Sequence, residues 1–581
     1  MEGGHKIMKK LLLMCTFILL GLVRNTLTYD YPACIECLPN PQEPQYGGGI
    51  IRNPQLDEDL QGWSPFGEAK IEHRESRGNK YIVAHSRNQP NDSVSQKLYL
   101  EKDNLYIVSA WLQVNGGGGG DVLVAALFKT ENGLKHAGAA IVKSNCWSML
   151  KGGLTVEEAS GPADLYFESN NASVEIWVDS VSLQPFTKEQ WKSHQYQSME
   201  QTRKGKVQLQ AVDEQGKPLA NSEINIKQKS TSIPIGCTIN PNILTNLAYQ
   251  SWYLPRFKYA TLEDQMKWFV NEPVQGKEDY SAADALIHFA QQHGISVRGH
   301  NVHWDNPSLQ PSWVHSLSPA QLNEAVSRRQ ASIMTRYKNK VISWDVVNEN
   351  VHYSFLESTL GSNASASIYK VAHDLDASAI PFMNDFGTIE DTKDILATPV
   401  QYIQRLKDIQ SFHGYSGWPV GIGLEGHFTN LDMAYMRASL DMLGALGMPI
   451  WLTELDVNSQ PNQAQLLDKI LREALSHPKV QGIMIWAAWK PEGCYRMCLT
   501  DNNFKNLPTG DVVDKILKEM GSNRLRGQTD ASGLYEAYLF HGDYEVEITH
   551  SSLPNSTIAH HFSVVPSHDL NITKVTLKAH V

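Results

Sequence analysis

The stretch Ile342-Ser-Trp-Asp-Val-Val-Asn-Glu349 decides the fold, because it has the pattern of a short buried strand that ends on an acidic side chain. Ile450-Trp-Leu-Thr-Glu454 repeats this pattern further along the chain. Around both, short apolar strands alternate with stretches of helical periodicity. The pattern predicts eight strands, at 233–239, 259–263, 296–300, 342–347, 380–384, 420–424, 450–454 and 482–486.

Eight consecutive strand-then-helix units predict an α/β fold, a (β/α)8 TIM barrel. Catalytic groups of this barrel lie at the C-terminal ends of its strands. Polar residues are concentrated at those positions of the sequence: Lys267, His300, Asn348, Glu349, Asn384, Asp385, His427 and Glu454.

The chain on either side of the barrel reads as β structure. Residues 45–187 alternate with a period of two and predict a β-sandwich module, and the polar segment 188–204 is a linker or a capping helix. Strands at 205–228 flank the catalytic barrel at 229–521, and 522–581 form a small C-terminal β domain. We hypothesise that these two flanking β regions pair into one small sandwich that the barrel splits in sequence.

Residues 1–28 are typical of a secretory signal peptide. A basic start precedes an apolar run of 13 residues, which is too short to span a bilayer, so a membrane anchor is disfavoured. The six cysteines beyond this segment permit disulfides, and Cys494 and Cys498 are close enough to staple a loop. Five sequons fit a secreted glycoprotein of the extracellular space or cell wall, with no membrane contact after cleavage: Asn91, Asn171, Asn363, Asn555 and Asn571.

The composition excludes some partners. The formal net charge of −11 argues against nucleic acid, which needs a basic surface. The 41% hydrophobic content is that of a globular protein, which we expect to be a monomer.

Glu349 and Glu454 are the candidates for chemistry. A glutamate at a buried strand end needs a partner or a task, and a single one would more often be a salt-bridged loop residue. Two at one rim are the minimum equipment for glycoside hydrolysis. Two close carboxylates do not both ionise easily, so one keeps a proton and can act as an acid.

Trp344-Asp-Val-Val-Asn-Glu349 and Thr453-Glu454-Leu-Asp456 resemble the acid/base and nucleophile motifs of glycoside hydrolase family 10, the xylanase family, and its plant members in particular. The resemblance covers about residues 205–581. It implies a retaining endo-1,4-β-xylanase, a glycosidase of xylan degradation, with Glu349 as acid/base and Glu454 as nucleophile. No metal or organic cofactor is implied for the chemistry.

Further positions match the same family. By resemblance, one set of residues contacts the substrate sugars, and Asp456 orients His427; the contacting set is Glu263, Lys267, His300, Trp304, Asn348, His427 and Trp486. For each histidine or tryptophan alone, core packing would be the simpler interpretation. Strand alternation places His300 and His303 on opposite faces, which disfavours a metal pair.

This chain departs from the family pattern at three places. Asp264 stands where many members have Asn, and Glu425 stands where many have Gln, so both add negative charge near the cleft. Cys494 replaces a second tryptophan after Trp486, and either Trp489 or Tyr495 is its substitute.

The N-terminal module resembles a family 22 carbohydrate-binding module, on Asn53-Pro, Gly62-Trp63 and Trp177-Val-Asp179. Its candidate sugar-binding residues are Trp111, Tyr166 and Glu168, with core or surface filling as a nearly equal interpretation of each.

Three rival functions remain open at this point. A xylan endotransglycosylase shares the covalent intermediate and differs in the acceptor. A β-1,4-glucanase uses the same barrel, although a bulky Lys267 or Trp486 near the sugar's C6 position would exclude glucose. A non-catalytic wall-binding protein would not need Glu349 and Glu454 together.

Overall fold

The computed structural model describes residue 29 and residues 32–116, 120–231, 233–521, 525–551, 558–566 and 572–578. The predicted signal segment 1–28 lies outside them. Within the described ranges, no helix has both the length and the apolar character needed to cross a membrane.

The N-terminal module consists of two antiparallel sheets that share one core. Its strands are β1 (Ser64–Phe66), β2 (Lys70–Ser76), β3 (Asn79–His85), β4 (Ser93–Leu100), β5 (Leu105–Gly116), β6 (Val122–Thr130), β7 (Gly133–Val142), β8 (Ser148–Thr155), β9 (Gly161–Glu168) and β10 (Val174–Phe186). They form two five-stranded sheets in the orders β1-β4-β9-β6-β7 and β2-β3-β10-β5-β8. Period-two alternation turns Val108, Leu112, Phe167 and Ile176 into the shared core.

Of the two structures predicted for segment 188–204, a linker or a capping helix, the chain forms the helix, α1 (Lys188–Arg203). Thr187 caps its start by accepting a hydrogen bond from the Gln190 amide. The helix packs on the barrel, since the Trp191 indole donates to Glu473 over 2.8 Å. A helix with such a buried anchor does not act as a flexible linker.

The module itself is docked on the barrel through polar groups removed from water. Lys151 of β8 pairs with Asp441 at 3.0 Å, and both side chains have 0% exposure. The Thr155 hydroxyl donates to Asp432 over 2.8 Å. Because breaking one member would leave a buried charge unpaired, this interface fixes the module against the barrel.

The barrel follows two flanking strands, β11 (Lys204–Val212) and β12 (Glu223–Thr231). Its strands are β13 (Ile235–Ile239), β14 (Tyr259–Leu262), β15 (Ser296–Trp304), β16 (Ser343–Asn348), β17 (Ile380–Asp385), β18 (Gly421–Leu424), the short β19 (His427–Phe428), β20 (Ile450–Val457) and β21 (Val480–Ile485). All pair in parallel, β13 pairs with both β14 and β21, and β18 pairs with β20. These pairings close the ring and confirm the predicted (β/α)8 barrel.

Helices cover the outside of the ring. They are α2 (Leu247–Tyr253), α3 (Trp268–Asn271), α4 (Ser281–Gln292), α5 (Pro319–Tyr337), α6 (Phe355–Leu360), α7 (Ala364–Leu375), α8 (Pro399–Ser411), α9 (Met433–Gly444), α10 (Gln463–Ser476) and α11 (Pro508–Met520). In α10 the apolar residues Leu467, Ile470, Leu471 and Ala474 repeat at helical spacing and are buried.

The strands after the barrel pair with those before it. They are β22 (Leu525–Gln528), β23 (Leu534–Phe540), β24 (Gly542–Thr549), β25 (Ile558–Val564) and β26 (Thr573–Lys578). β11 lies between β23 and β26, and β12 lies between β22 and β24. The hypothesis of one small sandwich split by the barrel is confirmed.

Candidate active site

Glu349 and Glu454 lie at the C-terminal rim of the barrel. Glu349 directly follows β16, and Glu454 is in β20. Their main-chain amides donate to the carbonyls of Asn384 (2.8 Å) and Glu425 (3.0 Å), which fixes both backbones against neighbouring strand ends. Glu349 has φ of 57°, a left-handed conformation that costs energy for a residue with a side chain and is typical of functional sites.

Glu454 lies among cations and amide donors. The Asn384 amide nitrogen donates to its Oε1 over 3.0 Å. His300 Nε2 lies 3.8 Å from Oε1, and His427 Nε2 lies 3.7 Å from Oε2. Burial opposes ionisation of Glu454, but the charges of His300, His427 and Lys267 outweigh it and hold the pKa of this carboxyl below its ordinary value.

Glu349 has the opposite surroundings. Burial removes the water that would stabilise its charge, and the neighbouring Asp385 and Glu454 carboxylates repel that charge. Trp304 and Asn306 offset the effect only in part, so the pKa of Glu349 is raised to about 7. Near neutral pH the rim therefore holds one ionised carboxylate and one carboxyl that can give up a proton.

A lysine lies between two tryptophans beside this pair. The Lys267 ammonium is 4.8 Å from the centre of the Trp304 ring and 5.8 Å from that of Trp486. The His300 ring is 5.6 Å from Trp486 and donates through Nδ1 to Asp345 over 2.9 Å. These four predicted sugar contacts thus form one polar and aromatic wall, which suits a ring with hydroxyl edges and an apolar face.

The remaining predicted contacts lie next to the same wall. Glu263 pairs with Lys490 at 2.8 Å, and Asn348 accepts a hydrogen bond from the Asn384 amide over 2.9 Å. Asp264 pairs with Lys267 at 2.7 Å, so its additional negative charge is matched locally.

His427 links Glu454, the candidate nucleophile, to Asp456 and Arg496. Its Nδ1 lies 3.1 Å from Asp456, the predicted orienting residue. Asp456 in turn accepts a hydrogen bond from Arg496 over 2.7 Å, and the same guanidinium donates to the Phe428 carbonyl over 2.7 Å. Burial opposes a charge on His427, but Asp456, Glu425 and Glu454 together raise its pKa well above the ordinary value.

Glu425 is the third buried carboxyl of the rim. Its Oε1 accepts from Asn384 over 3.2 Å, and its Oε2 lies 3.3 Å from His427 Nε2. Burial and the adjacent Glu454 charge raise the pKa of Glu425 well above its ordinary value. Over the ranges that the structure describes, Glu425, His427 and Glu454 form the group whose donor atoms, within 4.8 Å of one another, have the spacing of metal ligands. A cation bound there would occupy the carboxylate of Glu454, the candidate nucleophile.

The loop after β21 carries the departures near Trp486. Trp489 is buried against Tyr249 and Phe504, whereas Tyr495 is 96% exposed. Of the two candidate substitutes, Tyr495 has the accessible ring. The Cys494–Cys498 disulfide closes this loop, and a second disulfide joins Cys37 to Cys146.

Two candidate sugar-binding residues of the N-terminal module, Trp111 and Tyr166, are buried. Trp111 is 2% exposed and packs with Tyr81 and Trp147, so its ring offers no face to a sugar and the prediction is corrected. Tyr166 is 1% exposed because it stacks on Phe66 at 4.0 Å, and its hydroxyl donates to Glu168 over 3.1 Å. Period-two alternation does not show which face of a strand a neighbouring element covers.

The sequence analysis misses two groups of the site, Arg496 and His352, and the role of a third, Asn384. Asn384 was placed at the rim by the end of the fifth predicted strand, but not as a bridge between Asn348, Glu425 and Glu454. No sequence pattern indicates Arg496 or His352, because each contacts a residue that is distant in sequence and comes from another strand end.

A closed barrel with an acid and a carboxylate at one rim defines this protein as a glycoside hydrolase of the (β/α)8 class. Sequence comparison places it more finely. Residues 222–509 match the model of glycosyl hydrolase family 10, and residues 48–173 match a carbohydrate binding domain.

Two curated relatives from Arabidopsis thaliana agree with the family match. Endo-1,4-beta-xylanase 5-like is 39% identical over 84% of this chain and 86% of the relative. Endo-1,4-beta-xylanase 5 is 40% identical over 80% of this chain and 82% of the relative. The chain belongs to glycosyl hydrolase family 10 and carries an N-terminal carbohydrate-binding module.

A solved structure with both modules, the Clostridium thermocellum endo-1,4-beta-D-xylanase 10B complexed with xylohexaose, covers 81% of this chain and 98% of that chain, at 15% identity and a TM-score of 0.43.

Proposed function

We propose that this enzyme is a retaining endo-1,4-β-xylanase that cleaves internal bonds of xylan by double displacement. The observation that carries the proposal is the opposite charge preference of Glu349 and Glu454 at one rim. The naming of both Arabidopsis relatives as endo-1,4-beta-xylanases supports xylan as the substrate.

In the first step, the Glu454 carboxylate attacks the anomeric carbon while Glu349 protonates the leaving oxygen. The glycosidic bond breaks, and an ester joins the sugar to Glu454. In the second step, the now ionised Glu349 takes a proton from water, the water attacks the same carbon, and Glu454 is released. Two inversions at one carbon give net retention.

The surrounding residues have roles that follow from their positions. Asn384 and His427 hold the Glu454 carboxylate, and Asp456 orients His427. We assign sugar contacts to Glu263, Lys267, His300, Trp304, Asn348, His427 and Trp486. The chemistry as proposed needs no metal or organic cofactor.

We further propose secretion to the extracellular space or cell wall, as a monomeric glycoprotein. The two disulfides support an oxidising compartment. In the domain division, we propose the carbohydrate module at 45–187, the barrel at 229–521 and the C-terminal β domain at 522–581, which completes a sandwich with 205–228.

The test is to incubate the mature protein and Glu454→Ala with xylan and to follow product chain lengths. Short xylo-oligomers from the wild type and none from the variant are expected. Products longer than the starting chains would identify a transglycosylase, and tight xylan binding without cleavage would overturn the hydrolase proposal.

A further inference from the structure

The turn that carries Glu349 is wrapped around a buried carboxylate. From its left-handed start at Glu349, the chain folds back so that the Tyr353 amide donates to the Glu349 carbonyl over 3.0 Å. Between them, the Val351 amide donates to Asp385 Oδ2 over 2.6 Å, and His352 Nδ1 bonds Asp385 Oδ1 at 2.5 Å. The Asp385 side chain thus sets the shape of the turn.

His352 is held on its other side as well. Its Nε2 lies 2.7 Å from Asp394, and its ring stacks on Phe386 at 3.8 Å with an interplanar angle of 5°. A ring whose two nitrogens both face carboxylates carries a proton on each and is a cation. Burial opposes that charge, but Asp385 and Asp394 raise the pKa of His352 to about 10.

We propose that His352 is a positioning residue for the acid/base Glu349: it locks the 349–353 turn onto Asp385 and keeps the buried Asp385 carboxylate ionised beside Glu349. The inference rests on the proposed role of Glu349 and deepens it.

The charge balance around the turn supports this role. Other titratable groups that act on Asp385 or Glu349 include Tyr353, Tyr369, Tyr402, Glu425 and Glu454, and Asp394 holds the far side of His352. Arg405 also reaches the turn, where its Nε donates to Asn350 over 3.1 Å, but its guanidinium is paired with Glu357 at 2.6 Å. His352 is the cation in direct contact with the Asp385 carboxylate. Asp385 is one of the charges that raise the pKa of Glu349, and His352 is the strongest influence that keeps Asp385 ionised.

The consequence for pH dependence has a definite sign. Burial raises the pKa of Asp385, and the His352 imidazolium is the strongest influence that lowers it, ahead of the amides of Val351 and Phe386. Without His352 the buried Asp385 therefore takes up a proton, its charge no longer acts on Glu349, and Glu349 loses its own proton at lower pH. Asp385→Asn removes the same charge directly.

The experiment measures kcat/KM against pH for cleavage of an unactivated xylo-oligosaccharide by the wild type, His352→Gln, Asp385→Asn and Asp394→Asn. We expect the alkaline limb to move down by about 0.5 pH unit in both His352→Gln and Asp385→Asn, because each removes the negative charge on Asp385. In Asp394→Asn the imidazolium remains beside Asp385, so the limb moves less than in either.

A purely structural role would lower kcat and the unfolding temperature but leave the limb in place. If the limb of His352→Gln coincides with the wild-type limb or lies above it, the inference is overturned while the proposed function stands. If the wild type cleaves no xylo-oligosaccharide, both are overturned.

Discussion

The two sides of the cleft have the same acidic side chain in opposite electrostatic surroundings. Around Glu454 the barrel places His300, His427 and Lys267. Around Glu349 it places Asp385 and Glu454 itself. Because both groups are glutamates, residue type alone does not separate their roles. The sign of the neighbouring charge favours Glu349 as the proposed acid and Glu454 as the proposed nucleophile.

The difference extends beyond the first neighbours. On the Glu454 side, Arg496 compensates Asp456, which leaves His427 oriented toward the carboxylate. On the Glu349 side, His352 compensates Asp385. In both places a cation beyond direct reach of the carboxyl pairs with an acidic neighbour.

The largest expected effect distinguishes the two glutamates, because only the loss caused by removing Glu349 should depend on the leaving group of the substrate. Glu454→Ala should lose at least about four orders of magnitude in kcat on any substrate, because no ester can form. Glu349→Ala should lose about a thousandfold on xylan but far less in the glycosylation step with 4-nitrophenyl β-xylobioside, whose leaving group departs without protonation.

The measurement is single-turnover release of 4-nitrophenol beside xylan hydrolysis. Glu349→Gln is the matched control, since it keeps the shape of the side chain without the acid. Equal losses on both substrates in Glu349→Ala would contradict its role as the acid.

A smaller effect is expected from Arg496. Arg496→Gln removes a charge-assisted hydrogen bond to Asp456, and we expect kcat/KM to fall about tenfold. Arg496→Lys should recover part of the loss. Arg472→Gln, which breaks a surface pair with Glu519 on α10 and α11, is the matched control and should stay within about twofold. A loss of equal size in both glutamine variants would assign Arg496 no specific role.

The smallest effect is expected from Glu425. Because burial and the adjacent Glu454 charge raise the pKa of this carboxyl well above its ordinary value, its protonated form, which resembles an amide, is favoured. Glu425→Gln should keep the acceptor for Asn384 and stay within about threefold of the wild-type kcat/KM at pH 6. Glu425→Ala, which removes the acceptor, should lose more. A severe loss in Glu425→Gln would show that Glu425 works as an anion.

The barrel and its reactive pair could be predicted from the sequence because both depend on local patterns. A strand of four to eight residues ends where its apolar run ends, so Glu349 and Glu454 were placed at the rim without knowledge of any contact. The same alternation predicted strands at 205–228 and 522–581, whereas their pairing was a hypothesis that the strand order confirms.

The contacts between loops could not be predicted in this way. His352 meets Asp394 and Arg496 meets Asp456 only because the ring closes and brings separate strand ends together. Trp111 shows the same limit in the module, because its burial depends on Tyr81 from β3 and on Trp147, which directly precedes β8.

The most direct test of the opposite charge preferences is a ¹³C NMR titration of the glutamate carboxyl carbons, with Glu349→Gln identifying the Glu349 signal. Xylan hydrolysis needs the protonated acid, so kcat/KM should fall as pH rises through the same midpoint. We predict that Glu349 titrates near pH 7 in the wild type and at lower pH in Glu454→Gln, where the neighbouring charge is gone. A midpoint near 4.5 in both proteins would contradict the account.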